Sequence, residues 1–379
     1  MKSAPDPLAG KHVVVLGMAR QGRALGRWLP ALGARVTLSD TRSAEALAAS
    51  VAEFAGTPVR FALGGHPLEL LDDCDVLCVS GGVPPTLPIV QEAFRRGVAV
   101  TNDAQLFLER CPAPVLGITG SAGKTTTTAL AGAMCRASGR TTHVGGNIGD
   151  VLLDVLPRIA PEDIVVMELS SFQLELMTAS PTVAAVLNVT PNHLDRHGTM
   201  EAYTAAKARI FQSQRSSDVA IFGYDDPVAR RLSADAPGRM AFFSMQRAVV
   251  SGAYLDSDQI VITSGDSAPG LAYQVVCPRS AIRLRGEHNV LNTLAACAVA
   301  GAGYVPAEAM RAAIEAFTGV EHRLETVATI GGVTWVNDSI ATAPERVAAA
   351  LDAFDEPLIL LAGGRDKDLP WEHFAERAV

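Results

Sequence analysis

A chain of 379 residues, 48% hydrophobic and 19% charged, carries enough apolar material for about two or three cored domains and falls outside the disordered class. Its formal net charge of -8 argues against a nucleic-acid binder, which presents a basic face, but leaves room for a small anionic substrate held by local cations. The opening Met1-Lys2-Ser3-Ala4-Pro5-Asp6-Pro7 has no apolar signal core, no apolar run is long enough to span a membrane, and the six cysteines form no C-x-x-C pair, so a cytoplasmic protein in a reducing compartment is expected.

Strand and helix signals alternate from the start. Val13-Val14-Val15-Leu16-Gly17 reads as a buried strand, followed by a helix over about 22–32. Val36-Thr37-Leu38-Ser39-Asp40, Val76-Leu77-Cys78-Val79-Ser80 and Val98-Ala99-Val100 continue the pattern. Short apolar strands separated by helices predict a parallel sheet covered on both faces. Cys111-Pro112-Ala113-Pro114 punctuates the chain, and a domain boundary is set there.

A second α/β unit opens at Val115-Leu116-Gly117-Ile118-Thr119. Its further strands are Ile164–Glu168, Val183–Leu187 and Val219–Phe222. Residues 240–285 are short, punctuated and β-like, and helices follow near 289–302 and 306–317. After Thr318-Gly319, strands Val333–Val336 and Leu358–Leu361 bracket a helix near 344–354. The resulting domains are 1–112, 113–318 and 319–379, the last expected to be truncated.

Thr119-Gly120-Ser121-Ala122-Gly123-Lys124-Thr125-Thr126 lies between a strand and a helix running to about Ser138. Backbone N–H groups and a helix N-terminus cradle phosphates in that setting. Lys124 would face the β/γ-phosphates and the Thr125 hydroxyl would bind magnesium. Ile118 stands where the longer P-loop pattern has its first glycine, so the match is to a shorter T-G-x-x-G-K-T form. Glu168 ends an apolar strand, where a carboxylate can complete magnesium coordination; read alone it is an ordinary strand-end charge. Asn188-Val189-Thr190-Pro191-Asn192-His193-Leu194-Asp195-Arg196-His197 follows another strand, and Lys207 sits on a helix of small residues. Singly, each of these has a bland reading, as a loop histidine or a solvated lysine. Their joint order is what argues for a site.

Eight segments in this order resemble the Mur ligases: Gly120–Thr126, Gly145–Gly149, Glu168–Glu175, Leu187–Thr190, His193–Arg196, Ala206-Lys207, Gly286–Asn289 with Asn292, and Trp335–Ser339. The resemblance covers essentially the whole chain. It implies an α/β fold of three domains: an N-terminal Rossmann-like domain for UDP, a central P-loop ATPase-like domain, and a C-terminal Rossmann-like domain for the incoming amino acid. The implied activity is ATP-dependent addition of D-glutamate to UDP-N-acetylmuramoyl-L-alanine through an acyl phosphate, with release of ADP and phosphate. Two magnesium ions are implied, served by Thr125 and Glu168 and by His193 and Lys207, with Lys207 carbamylated. Lys124, Lys207 and His193 are the implied catalytic residues. Gly120, Ser121, Ala122, Gly123, Lys124, Thr125, Thr126, Asn289, Asn292, Arg323 and Asp338 fall around ATP. Arg20, Gln21, Asp40, Thr41 and Arg42 fall at uridine contacts, Asn147 and His193 at the muramoyl-alanine end, and Thr342 and Lys367 at the incoming amino acid. No nucleic-acid or membrane partner is implied, and a monomer is expected.

Two departures bear on the alternatives. Ala19 replaces the second glycine of G-x-G-x-x-G in Gly17–Gly22, which disfavours a dinucleotide pyrophosphate and so a nicotinamide-dependent oxidoreductase. Ile340 stands where many relatives carry lysine, which leaves open a family member adding another amino acid, such as L-glutamate. The long domain before Ala113 separates the chain from folylpolyglutamate synthase. A non-enzymatic nucleotide-binding regulator is the remaining alternative.

Overall fold

The computed structural model describes residues 5–147, 149–265, 273–341, 344–354, 356–364 and 371–378. The first apolar runs form β1 (His12–Leu16), β2 (Arg35–Asp40), β3 (Arg60–Leu63), β4 (Val76–Val79) and β5 (Ala99–Thr101). All pair in parallel, in the order β3-β2-β1-β4-β5. β1 is buried along its whole length, as a parallel strand covered on both faces must be. The order reverses between β1 and β4, so the turns leaving their carboxyl ends flank the position where open α/β sheets take ligands. Gly17 leaves β1 at φ +91°, and a Cβ on Gly22 would lie 1.8 Å from the Gly17 carbonyl oxygen. Only glycine at position 22 lets the helix Arg20–Ala31 start this close to the strand.

A second parallel set follows: β6 (Val115–Thr119), β7 (Thr142–Gly146), β8 (Ile164–Glu168), β9 (Val183–Val186) and β10 (Val219–Gly223). They lie in the order β7-β8-β6-β9-β10. The chemistry-bearing segments Gly120–Gly123, Asn147, Glu168 and Asn188–Thr190 therefore all leave carboxyl ends of neighbouring strands.

The chain divides into two compact units, 1–121 with 141–222 and 226–240, and 122–140 with 223–225 and 241–379. The first contains both parallel sets. The second contains β11 (Arg239–Ser244) from Ala241 onward, β12 (Ser251–Asp256), β13 (Gln259–Ser264) and β14 (Gln274–Pro278). β11 pairs with β12 in parallel, and the β12-β13-β14 run is antiparallel. The helices Glu287–Ala302 and Ala307–Ala316 pack on Lys124–Ala137. β15 (Glu325–Ile330) and β16 (Val333–Asn337) form a hairpin, and the helix Pro344–Leu351 follows.

One sequence expectation fails. Leu358–Leu361 is unpaired chain, with Ile359 91% and Leu361 80% exposed. A parallel strand needs a neighbour to take its ladder bonds, and two strands alone are marginal as a sheet. Among the described residues, the strands of the 319–379 region are those of the β15-β16 hairpin alone.

The first unit also buries a carboxyl. Asn102 caps the helix Asp103–Leu108 by accepting the Gln105 N–H at 2.8 Å, and donates to the Gln173 carbonyl at 2.7 Å. Beside it, Asp103 is 6% exposed; its Oδ2 accepts a long bond from Gln173 Nε2 at 3.4 Å and its Oδ1 makes no well-formed hydrogen bond among the described residues. Burial pushes its pKa up from 3.8 to about 6, against the pull of its own N–H, the Gln173 amide and the Ala104 N–H. The folded chain therefore keeps a proton that the unfolded chain releases, so burial of Asp103 destabilises progressively as pH rises from 3.8 to about 6. Asp103→Asn is expected to stabilise by of order 2–3 kcal/mol at neutral pH and by little near pH 4. Thermal melts at the two pH values check this, and equal Tm shifts at both would contradict it.

Candidate active site

The phosphate loop is held by its neighbours before any ligand arrives. The Ser121 N–H donates to the Asn188 carbonyl at 3.0 Å. Its hydroxyl donates to the Thr190 carbonyl and accepts the Thr190 N–H, each at 3.0 Å, and lies 3.0 Å from the Tyr203 hydroxyl. Lys207, on the helix Met200–Gln212, is 1% exposed and donates to the Gly120 carbonyl at 2.8 Å. The Leu187–Thr190 motif and the helix carrying Lys207 thus shape the loop. Gly123 takes φ +82° and opens the helix Lys124–Ala137; Lys124 is half-buried, and Thr125 and Thr126 are buried.

Glu168 closes β8 at 1% exposure. Its Oε1 accepts from Asn147 Nδ2 at 2.9 Å, and its Oε2 has no hydrogen-bond partner among the described residues. The exit of β7 wraps against it: Asn147 N–H donates to the Glu168 carbonyl at 2.9 Å, and a Cβ on Gly146, at φ +109°, would come within 2.4 Å of that oxygen. A buried carboxylate oxygen left unbonded costs free energy, and a bound cation is one group that would offset it. Among the described residues, no cluster of three His, Cys, Asp or Glu side chains could hold a metal unaided. Such an arrangement suits magnesium, which takes one or two carboxylates and fills its shell with water and phosphate oxygens.

His193 is one of five non-glycine residues described at positive φ, at +54°. Backbone in this region is strained for a side-chain-bearing residue, and such strain gathers at functional sites. It caps the short turn Leu194–His197, and its ring meets Phe172 edge-on at 5.0 Å between centroids. His197 stacks on Phe172 at 5.3 Å and lies 3.0 Å from the Ser171 hydroxyl. Burial, with Lys207 and Arg196 near, holds its pKa below the ordinary histidine value. Of the two histidines read from the sequence, His197 is thus packed into the Glu168–Glu175 segment, while His193 is exposed.

At the β1/β4 end, Asp40 accepts the Met18 N–H at 2.7 Å and the Arg42 N–H at 3.0 Å, and pairs with both arms of the Arg42 guanidinium. The Arg42 side chain holds the Asp40 carboxyl far below the usual carboxylate range, despite burial. Arg20 and Thr41 are exposed. Gln21 donates its amide to the Gly146 carbonyl at 3.1 Å, so it ties the first helix to the exit of β7.

In the second unit, Arg323 Nη2 donates to the Thr125 hydroxyl at 3.0 Å. Asn289 accepts from Asn292 at 2.9 Å and donates to the Arg285 carbonyl at 2.7 Å, which fixes both amides on the Glu287–Ala302 helix. Asp338 accepts the Leu324 N–H at 3.1 Å, and burial raises its pKa. Thr342 and Lys367 lie outside the described residues.

The sequence placed Gly120–Gly123, Glu168 and Asn188–Thr190 at or after strand ends, and the structure puts those strands side by side. It missed the roles of Asn102, Ser121, Gln173 and Tyr203 as supports, and gave Arg196 none. The only available signal was that Ser121, Gln173 and Arg196 sit inside the quoted motifs.

Comparison with known proteins bears on both domains. The family model of the Mur ligase MurD-like N-terminal domain matches residues 11–102, and that of the Mur ligase middle domain matches residues 118–300. A UDP-N-acetylmuramoylalanine–D-glutamate ligase of Symbiobacterium thermophilum is 44% identical over 96% of this chain and 80% of its own length. One from Pelotomaculum thermopropionicum is 39% identical over 97% and 80%. Among solved structures, a murein peptide ligase from Psychrobacter arcticus superposes with a TM-score of 0.56 at 20% identity, covering 90% of this chain and 75% of that one. A UDP-N-acetylmuramate–alanine ligase from Thermotoga maritima gives 0.54 at 20% identity, covering 90% and 77%. At that identity the structures speak for the fold alone.

Proposed function

Because the chain belongs to the Mur ligase family, we propose that it joins D-glutamate to UDP-N-acetylmuramoyl-L-alanine at the expense of ATP. The reaction passes through an acyl phosphate and releases ADP and phosphate. One observation carries the phosphoryl-transfer half: the buried Glu168 Oε2, without a partner among the described residues, at the strand end beside the phosphate-loop strand β6. The acceptor's identity rests on the relatives, which share the D-glutamate ligase name at 39–44% identity.

In this reading Lys124 meets the β/γ-phosphates and Thr125 offers its hydroxyl to magnesium. Glu168 is a carboxylate ligand, oriented by the Asn147 amide. His193 and Lys207 serve a second ion, with Lys207 as a carbamate. When bound, magnesium draws charge from the phosphoryl group and from the carboxylate that receives it. Arg323, Asn289, Asn292 and Asp338 hold the nucleotide, and Thr342 and Lys367 meet the incoming amino acid. Residues 1–112 bind UDP, 113–318 bind ATP, and 319–379 open the domain for the amino acid.

Phosphate release, measured with ATP, magnesium and UDP-N-acetylmuramoyl-L-alanine against a panel of amino acids, tests this. D-Glutamate is expected to give the fastest release, with L-glutamate, L-alanine and a diamino acid near background. Faster turnover with any of those three would overturn the assigned acceptor. Release that ignores the UDP-linked substrate would overturn the reading as a whole.

A further inference from the structure

Arg196 lies in the turn that His193 begins, and its own N–H donates to the His193 carbonyl at 3.1 Å. Its guanidinium reaches a segment 113 positions away: Nη2 donates to the Val83 carbonyl at 2.7 Å and Nη1 to the Gly82 carbonyl at 3.3 Å. It also lies over the Phe172 ring, 4.0 Å from the centroid, so the helix that follows Glu168 supports it from below. Among the described residues, no carboxylate pairs with it; Glu175 and Asp195 act only through space, and burial lowers its pKa against their pull. Arginine stays charged under such conditions. A fixed cation here is bound to backbone carbonyls and aromatic face, not to an acid.

The Gly82–Val83 turn is itself placed. Val83 N–H closes it onto the Ser80 carbonyl at 2.8 Å, the Ser80 hydroxyl lies 3.4 Å from the Gly17 carbonyl, and Val83 Cγ2 sits 3.3 Å from where a Gly17 Cβ would be. Gly17 and Ser80 are the residues leaving β1 and β4, where the sheet order reverses and a nucleotide is taken. Arg196 therefore fastens this turn to the one that carries His193.

We propose that Arg196 is a positioning residue for the UDP-sugar substrate, clasping the turn at the nucleotide end to the His193 turn at the muramoyl-alanine end. The proposal rests on the function given above. A ligand that touches both turns gains from their fixed spacing, and a ligand that touches one does not. The planar fork matters as well as the charge, since two carbonyls on adjacent residues are bonded by two nitrogens of one rigid group.

The test compares wild type, R196K and R196A in steady-state kinetics, and in calorimetric titration with UDP-N-acetylmuramoyl-L-alanine and with UDP alone. For R196A, the KM and Kd of the full substrate are expected to rise about 10-fold or more, with the KM for ATP and the Kd for UDP within about twofold. R196K keeps the charge but not the fork, and is expected to fall between. Melting curves accompany both variants. A lowered Tm with unchanged substrate constants in R196K and R196A would reduce the arginine to a structural tie and overturn the proposal. Equal losses for UDP and the full substrate would overturn it too, as would an equal rise in the KM for ATP. A wild type that does not turn over the UDP-linked substrate would instead count against the function itself.

Discussion

Lys124→Ala is expected to lose about 10²–10³-fold or more in ATP turnover. The lysine stands at the first position of the helix Lys124–Ala137, directly after the left-handed Gly123. A charge fixed there stabilises negative charge gathering on the transferred phosphoryl group, and does so without reorganising at the moment of reaction. The fold should persist, because Ser121 and Gly120 hold the loop through their own partners. Circular dichroism and a melt would verify that, while coupled detection of ADP and phosphate reads the loss. Near-normal ADP formation by the variant would remove the phosphate loop from the mechanism.

Lys207→Ala is expected to lose about 10²-fold or more, and to be rescued in part by a small carboxylic acid. The side chain is 1% exposed and its Nζ reaches the Gly120 carbonyl, so its removal opens a space beside the phosphate loop. A lysine amine adds to carbon dioxide to give a carbamate, with one proton released to solvent. That group carries the opposite charge to the ammonium and offers hard oxygens that suit magnesium. Acetate or propionate at high concentration should refill the space with an equivalent anion, whereas a cationic amine of similar size should not. Full activity of the variant, or rescue by the amine, would refute the carbamate. So would a magnesium-bound structure of active enzyme with an unmodified Lys207.

Most of the parallel strands were legible because they are short apolar runs bounded by turns. β6, β8, β9 and β10 fall where the apolar stretches placed them, and the residues with chemistry follow directly from their ends. β3 escaped because Arg60-Phe61-Ala62-Leu63 is a brief, half-buried edge strand without a continuous apolar run, and β7 because Thr142-His143-Val144-Gly145-Gly146 has one apolar side chain of any size. Leu358–Leu361 shows the opposite failure. Hydrophobicity marks a segment that could pair, but pairing depends on a neighbour that local sequence cannot supply. Site residues divide in the same way. Lys124, Glu168 and His193 sit in motifs whose order survives in one dimension. The reach of Arg196 to Gly82, of Gln21 to Gly146, and of Asn102 to Gln173 joins positions far apart in the chain, and nothing periodic announces such pairs.

The knot around Ser121 has a consequence for how a nucleotide would be received. Its amide and hydroxyl are engaged by Asn188, Thr190 and Tyr203, which come from two other segments of the same unit. The entropy of ordering this part of the loop is therefore lost when the chain folds, not when a ligand binds. A preorganised loop keeps more of its contact energy as affinity. It should also shield the Ser121 and Thr190 amides from hydrogen exchange in the empty protein, so that this turn of the sheet edge behaves, on the timescale of exchange, as part of its rigid frame.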